Sequence, residues 1–96
     1  MVNNNMGEAI VAFDQAIDEA QQGWGTTHPV IATLKTNLAA IYVKQENPKK
    51  AETLYVQALE ILEGAFGMDS PDYVAAKESY VTALGENLDS KAGATP

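Results

Sequence analysis

Few residues in this sequence have side chains suited to chemistry, and their spacing decides what each can be. The one histidine, His28, stands directly before Pro29, with no second His and no Cys in the chain. A lone imidazole at a turn has neither a metal co-ligand nor a nucleophile to activate, so its expected work is to cap the helix that Pro29 opens. The carboxylate pairs Asp14/Asp18 and Glu60/Glu63 lie three or four residues apart. On a helix such pairs share a face, and with no buried setting to separate their pKa values they read as solvated surface. Ser70 precedes Pro71 with no base recognisable nearby, which makes it a second cap. The glycines stand singly in turns and build no phosphate cradle. Trp24 has the size of a binding hot spot, yet Phe66 takes the equivalent place further on, so both are expected to pack under a linker. The expectation is a protein that is not an enzyme and uses no cofactor and no metal.

Composition narrows the partners. Six lysines are the only permanently basic side chains against thirteen acidic residues, a net charge of -7. Without Arg there is no bidentate recognition of phosphate or guanine, and the negative field repels nucleic acid and anionic membranes, so neither is an expected partner. The 96 residues are 46% apolar, which suits one small folded domain whose core has little reserve. No apolar run is long enough to span a bilayer, and Met1-Val2-Asn3-Asn4-Asn5 has neither the charged nor the apolar part of a signal peptide. With no Cys, the expected setting is cytoplasmic.

The elements that position these residues are helices. Ala9, Phe13, Ala16, Ile17 and Ala20 recur at three- and four-residue steps, with Glu8, Asp14, Asp18 and Glu19 between them, which predicts an amphipathic helix from Met6 to about Gln22 ended by Gly23 and Gly25. Pro29 opens a second, to about Gln45, with Ile31, Leu34, Leu38, Ile41 and Tyr42 inward. Asn47 is placed to cap a third, from Pro48 to about Ala65, carrying Ala51, Leu54, Tyr55, Ala58, Leu59 and Leu62. A fourth starts at Pro71 and carries Tyr73, Ala76, Tyr80, Val81, Leu84 and Leu88. No segment shows the period-two alternation of a strand, and short connections make neighbouring helices antiparallel. The expected fold is all-α.

A shift of 42 residues aligns Ala9 with Ala51, Phe13 with Tyr55, Gln15 with Gln57, Ala16 with Ala58, Trp24 with Phe66, Gly25 with Gly67, Pro29 with Pro71 and Lys35 with Lys77. Those are positions where helices approach closely, where a ring fills a gap, or where a turn is fixed. Two ordinary helical hairpins with similar caps are the alternative, though chance would not choose packing positions so consistently. The stretch from Trp24 to about Ala76 resembles the tetratricopeptide repeat, in the longer 42-residue form of kinesin light chains. The residues that carry the resemblance are Leu38-Ala39 and Tyr42 on one helix, Ala51, Tyr55, Ala58 and Leu59 on the next, and the linker from Phe66-Gly67 to Ser70-Pro71. Bulky Val81 at a usually small position, and Pro48 where an aromatic is more usual, depart from the pattern.

The resemblance implies helical hairpins stacked as a right-handed superhelix of four helices. Its parts are a flexible N-terminus (1–5), a helical repeat domain (6–88) made of a half repeat (6–25), a full repeat (29–67) and a half repeat (71–88), and a disordered tail (89–96). It also implies a scaffold that binds a protein or peptide partner on the concave face. Carried over by position, that face presents Thr33, Thr36, Asn37, Ala40 and Lys44, continued by Ala75, Glu78, Ser79 and Thr82, with Lys44 and Lys35 as its nearest cations. Members that clamp a C-terminal carboxylate pair the Asn with basic residues where this chain has Ala75 and Ser79, so that clamp is broken here. A half repeat at each end leaves apolar faces open: either the chain is a piece of a longer array, or its open ends pair with another copy, which makes homo-oligomerisation the alternative reading.

Overall fold

The computed structural model describes the backbone of residues 5–93 and the side chains of residues 6–85. Four helices follow one another: α1 (Asn5–Trp24), α2 (Pro29–Lys44), α3 (Pro48–Phe66) and α4 (Pro71–Gly93). No strand occurs among the described residues. Each helix packs on its neighbour in sequence, the closest pair being α2 with α3, and α2 also touches α4. The layer measures 46 × 42 × 17 Å, about two helices thick.

Three clusters make up the core, and α2 contributes to all of them. Ile17 of α1 meets Ile31 and Leu38; Ala32 meets Ala58, Leu62 and Ala76; Ala39 meets Ala51, Tyr55 and Leu84. Ala32, Ala39, Ala51 and Ala58 have no exposed surface. These methyl-sized contacts let the α2 and α3 backbones come close, and the Tyr55 ring fills the space beside them, tilted against Tyr80 at 5.7 Å between centroids. Leu34, Ile41 and Tyr42, expected inside, are only partly buried, while Ala32 and Ala39 take the innermost places. The inner face of α2 is thus rotated towards its small residues, because only they fit against α3.

The turns follow the expected chemistry with one exception. Gly25 and Gly67 adopt φ of 90° and 88°, conformations that cost an L side chain energy, at matching places 42 residues apart. His28 Nδ1 accepts from the Val30 N–H at 3.1 Å, and Ser70 Oγ accepts from the Tyr73 N–H at 3.1 Å, so both residues cap as expected. Asn47 does not: its side chain makes no cap hydrogen bond. Asn47 is instead bound through its backbone, where its N–H reaches Tyr42 O and the Glu46 N–H reaches Val43 O, closing α2 with a Schellman motif. Glu46 occupies the left-handed position of that motif at φ 60°, a place glycine usually holds.

The helix ends differ from expectation at three points. Gly23, expected to end α1, lies within it, and the helix runs on to Trp24, where the Gly25 turn stops it. α4 continues past Leu88 to Gly93, so residues 89–93, expected to be irregular, are helical. Asp89, Ser90, Lys91 and Ala92 contain no helix breaker, and the first strong one is Gly93 itself. Asn5 is the first residue of α1. The rest of the expected flexible N-terminus, residues 1–4, and the end of the expected tail, residues 94–96, lie outside the described residues.

Candidate functional site

Antiparallel α2 and α3 bring α4 alongside α2, and an open groove of about 280 Å³ runs between these two helices. Thr33, Thr36 and Asn37 line it from α2, and Asp72, Ala75 and Ser79 from α4, over a floor of Leu62 and Ala76. Three- and four-residue steps put Thr33, Thr36 and Asn37 on one stripe of α2 adjacent to the buried Ala32 and Ala39. Thr36 Oγ1 donates to the Ala32 carbonyl at 2.8 Å, which leaves the Asn37 amide and the Ser79 and Thr33 hydroxyls as the groove's outward polar groups. Among the described residues Asp72 is its one charged lining residue.

The expected site residues divide into three sets. Thr33, Thr36 and Asn37 come together with Ala75 and Ser79 in this groove. Ala40 and Lys44 are exposed further along α2 and do not line it. Glu78 and Thr82 lie with Val74, Lys77 and Val81 along the flank of α4 turned away from α2, in a second open groove of about 360 Å³. Lys35 is not a groove cation: its Nζ donates to Gln57 Oε1 on α3 at 2.8 Å, and burial there lowers its pKa. Asp72 escaped notice in the sequence because it lies in the first turn of a helix, where an acid is ordinary.

A further cleft, of about 350 Å³, opens between α1 and α3 on the opposite side of α2. Leu38, Tyr42 and Leu54 form its apolar base, with Asp14 on one rim and Lys49 and Lys50 on the other. Lys50 stands 5.4 Å from the centre of the Tyr42 ring, within cation–π range. Nothing in the sequence announced this cleft, since its lining comes from three different helices.

Trp24 and Phe66 do not pack under their linkers: they are 61% and 50% exposed. Trp24 stacks instead on the His28 ring, 4.8 Å between centroids and 22° from parallel, across the turn that Gly25 reverses. Among the described residues no group of three or more His, Cys, Asp or Glu is placed to hold a metal ion. No helix of the described residues is long and apolar enough to cross a membrane.

Small residues at the helix contacts, two matching Gly turns 42 residues apart and a groove between α2 and α4 define a helical-hairpin repeat protein. The tetratricopeptide repeat family model matches residues 3–64, well over half of the sequence, and the chain belongs to that family. The match spans α1, α2 and most of α3, so the first helix is itself part of a repeat. No curated protein matches the sequence. Repeats of this family generally mediate protein–protein interactions as scaffolds, and the family is typically non-catalytic.

Proposed function

We propose that this chain is a non-catalytic scaffold module that holds an extended peptide or a partner helix in the groove between α2 and α4. One observation carries the reading: Thr33 and Asn37 of α2 and Ser79 of α4 converge on a single open trough with an apolar floor. A side-chain amide flanked by hydroxyls can both donate to and accept from a peptide backbone without reading its sequence. Asp72 within the trough and the overall charge of -7 favour a neutral or basic segment over an acidic one. With Ala75 and Ser79 where a carboxylate clamp needs cations, a free C-terminus is a poor ligand. The equivalent Gly25 and Gly67 turns are compatible with the 42-residue, kinesin-light-chain-like form of the repeat. A trough this short gives modest affinity unless several copies act together.

Selection of extended peptides from a random library on the immobilised chain tests the reading. Amide chemical shifts of Thr33, Asn37, Ala75 and Ser79 should move on binding, and Asn37→Ala should weaken the selected peptides roughly three- to tenfold with helicity unchanged. Shifts confined to Lys49, Lys50 and Thr53 would transfer the site to the cleft between α1 and α3. A second reading, a structural unit whose open ends pair with another copy, has its own support: Val74 and Val81 on α4 are 42% and 53% exposed.

A further inference from the structure

The exposed flank of α4 and the outer face of α1 are two halves of a contact the molecule already contains once. The contact is α2 on α3, where Ala32 packs with Ala58 and Leu62, Ala39 packs with Ala51 and Tyr55, and Lys35 donates to Gln57. A shift of 42 residues takes the α2 side of this contact onto α4, as Val74, Val81 and Lys77. The reverse shift takes the α3 side onto α1, as Ala16 and Ala20, Ala9 and Phe13, and Gln15. Neither translated face has a partner helix of that type among the described residues: α1 packs only on α2, and α4 on α3 and the far edge of α2.

The two faces fit each other in size. Where α2 has Ala32, α4 has the larger Val74; where α3 has Leu62, α1 has the smaller Ala20. Likewise Val81 replaces Ala39, while Leu54, packed in the same cluster, is matched by Ala12 on α1. Each gain of volume on α4 is met by a loss on α1, so the total packed across the contact is roughly kept, which a close-packed interface requires. The polar pair is kept outright, since both Lys77 and Gln15 are the residue types that already bond as Lys35 and Gln57 at 2.8 Å. Ala12, Gln15, Lys77 and Val81 are all exposed in the single chain.

We infer that a second copy of this chain docks its α1 on the Val74, Lys77 and Val81 flank of α4, completing one full repeat from two halves. This rests on the self-association reading above and specifies its geometry. The contact joins unlike faces, so it propagates head to tail and does not close at a dimer. It also extends the groove. Thr36 of α2 faces Ala75 and Ser79 of α4, and by the same repeat Glu78 of α4, the counterpart of Thr36, faces Thr33 and Asn37 of the second copy. The charge of -7 on each copy opposes the contact, so added salt strengthens it.

Sedimentation velocity and light scattering of the full 96-residue chain, at tens to hundreds of micromolar, test the inference. The wild type should give a concentration-dependent ladder of masses. Val81→Glu, which blocks only α4, and Ala12→Glu, which blocks only α1, should each be monomeric with helicity retained. Mixed, they should form a one-to-one heterodimer and nothing larger, because each supplies the face the other lacks. Lys77→Ala and Gln15→Ala should each weaken association roughly three- to tenfold, and the double variant no more than either alone. A wild type that is monomeric throughout overturns self-association and this inference with it. A ladder that survives either Glu variant, or a mixture that stays monomeric, overturns the register while leaving self-association by other faces standing.

Discussion

α2 and α4 start at prolines 42 residues apart, yet one is the centre of the molecule and the other its edge. α2 is covered by α1 on one side and α3 on the other, and Ile31, Ala32, Leu38 and Ala39 are at most 2% exposed. α4 is covered by α3 and the edge of α2, and only Ala76 and Leu84 are buried among its described side chains. Matching positions therefore carry Ala32 and Ala39 on α2, where α3 must come close, and Val74 and Val81 on α4, where the described residues leave the side chains exposed. Position in the stack, more than helix propensity, decides which substitution is costly.

The largest effect should come from placing one bulky residue in each setting. Ala58→Trp puts an indole where Ala32, Leu62 and Ala76 leave no space, and overpacking should cost about 3 kcal/mol or more, enough to abolish cooperative melting in so small a domain. Val81→Trp on the open flank should shift stability by about 0.5 kcal/mol or less when measured at low micromolar concentration. Similar losses at both positions would mean that α4 is as tightly enclosed as α2.

The caps sharpen the contrast on a smaller scale. Ser70→Ala removes the hydroxyl that binds the Tyr73 N–H and should lower stability by about 1 kcal/mol in denaturant titration. Asn47→Ala removes no side-chain cap bond and should be close to neutral. Equal losses would show Asn47 capping in solution.

Alkaline pH should give the smallest difference. Burial raises the Tyr55 pKa above its usual value near 10. The folded state then holds its phenol proton after the unfolded chain has lost it, so the stabilisation is complete below about pH 10 and is lost as pH rises from there towards the folded value. Tyr80 shifts in the same direction, through burial and then the neighbouring Glu52 carboxylate, whose oxygen lies 3.5 Å from the hydroxyl. Lys35, lowered by burial, works in the opposite direction, over the pH range below its usual value near 10.5. Chemical denaturation at stepped pH should therefore show Tyr55→Phe losing less stability than wild type above about pH 10, with a smaller change for Tyr80→Phe at the edge.

Much of this architecture was legible in the residues. Pro29, Pro48 and Pro71 mark three helix starts, because a proline in the first turn gives up no needed N–H, and the 42-residue echo of Ala, ring and Gly positions announced the stack. Legibility failed where a side chain had two sufficient explanations. Asn47 had the right type for a cap, but a Schellman turn had already fixed its backbone. Trp24 had the right size for a buried anchor, but the Gly25 turn delivers it onto His28 and leaves it exposed. For the groove, periodicity placed Thr33, Thr36 and Asn37 on one stripe, whereas Glu78 and Thr82 proved to lie on the other flank of α4.

What the sequence determined by itself was local: helix starts from proline, reversals from Gly25 and Gly67, and the periodic Ala and ring positions that make each helix two-faced. These are properties of a residue and its neighbours within a turn or two, so spacing encodes them. Only the tertiary structure decided that Lys35 turns to Gln57 and not to the trough, that Asp72 joins Asn37 and Ser79, and that Asp14 and Lys49 face each other across a cleft. Each of those depends on the angle at which one rod lies against another. That angle is set by the sum of many side-chain contacts across the interface, which no single stretch of sequence contains.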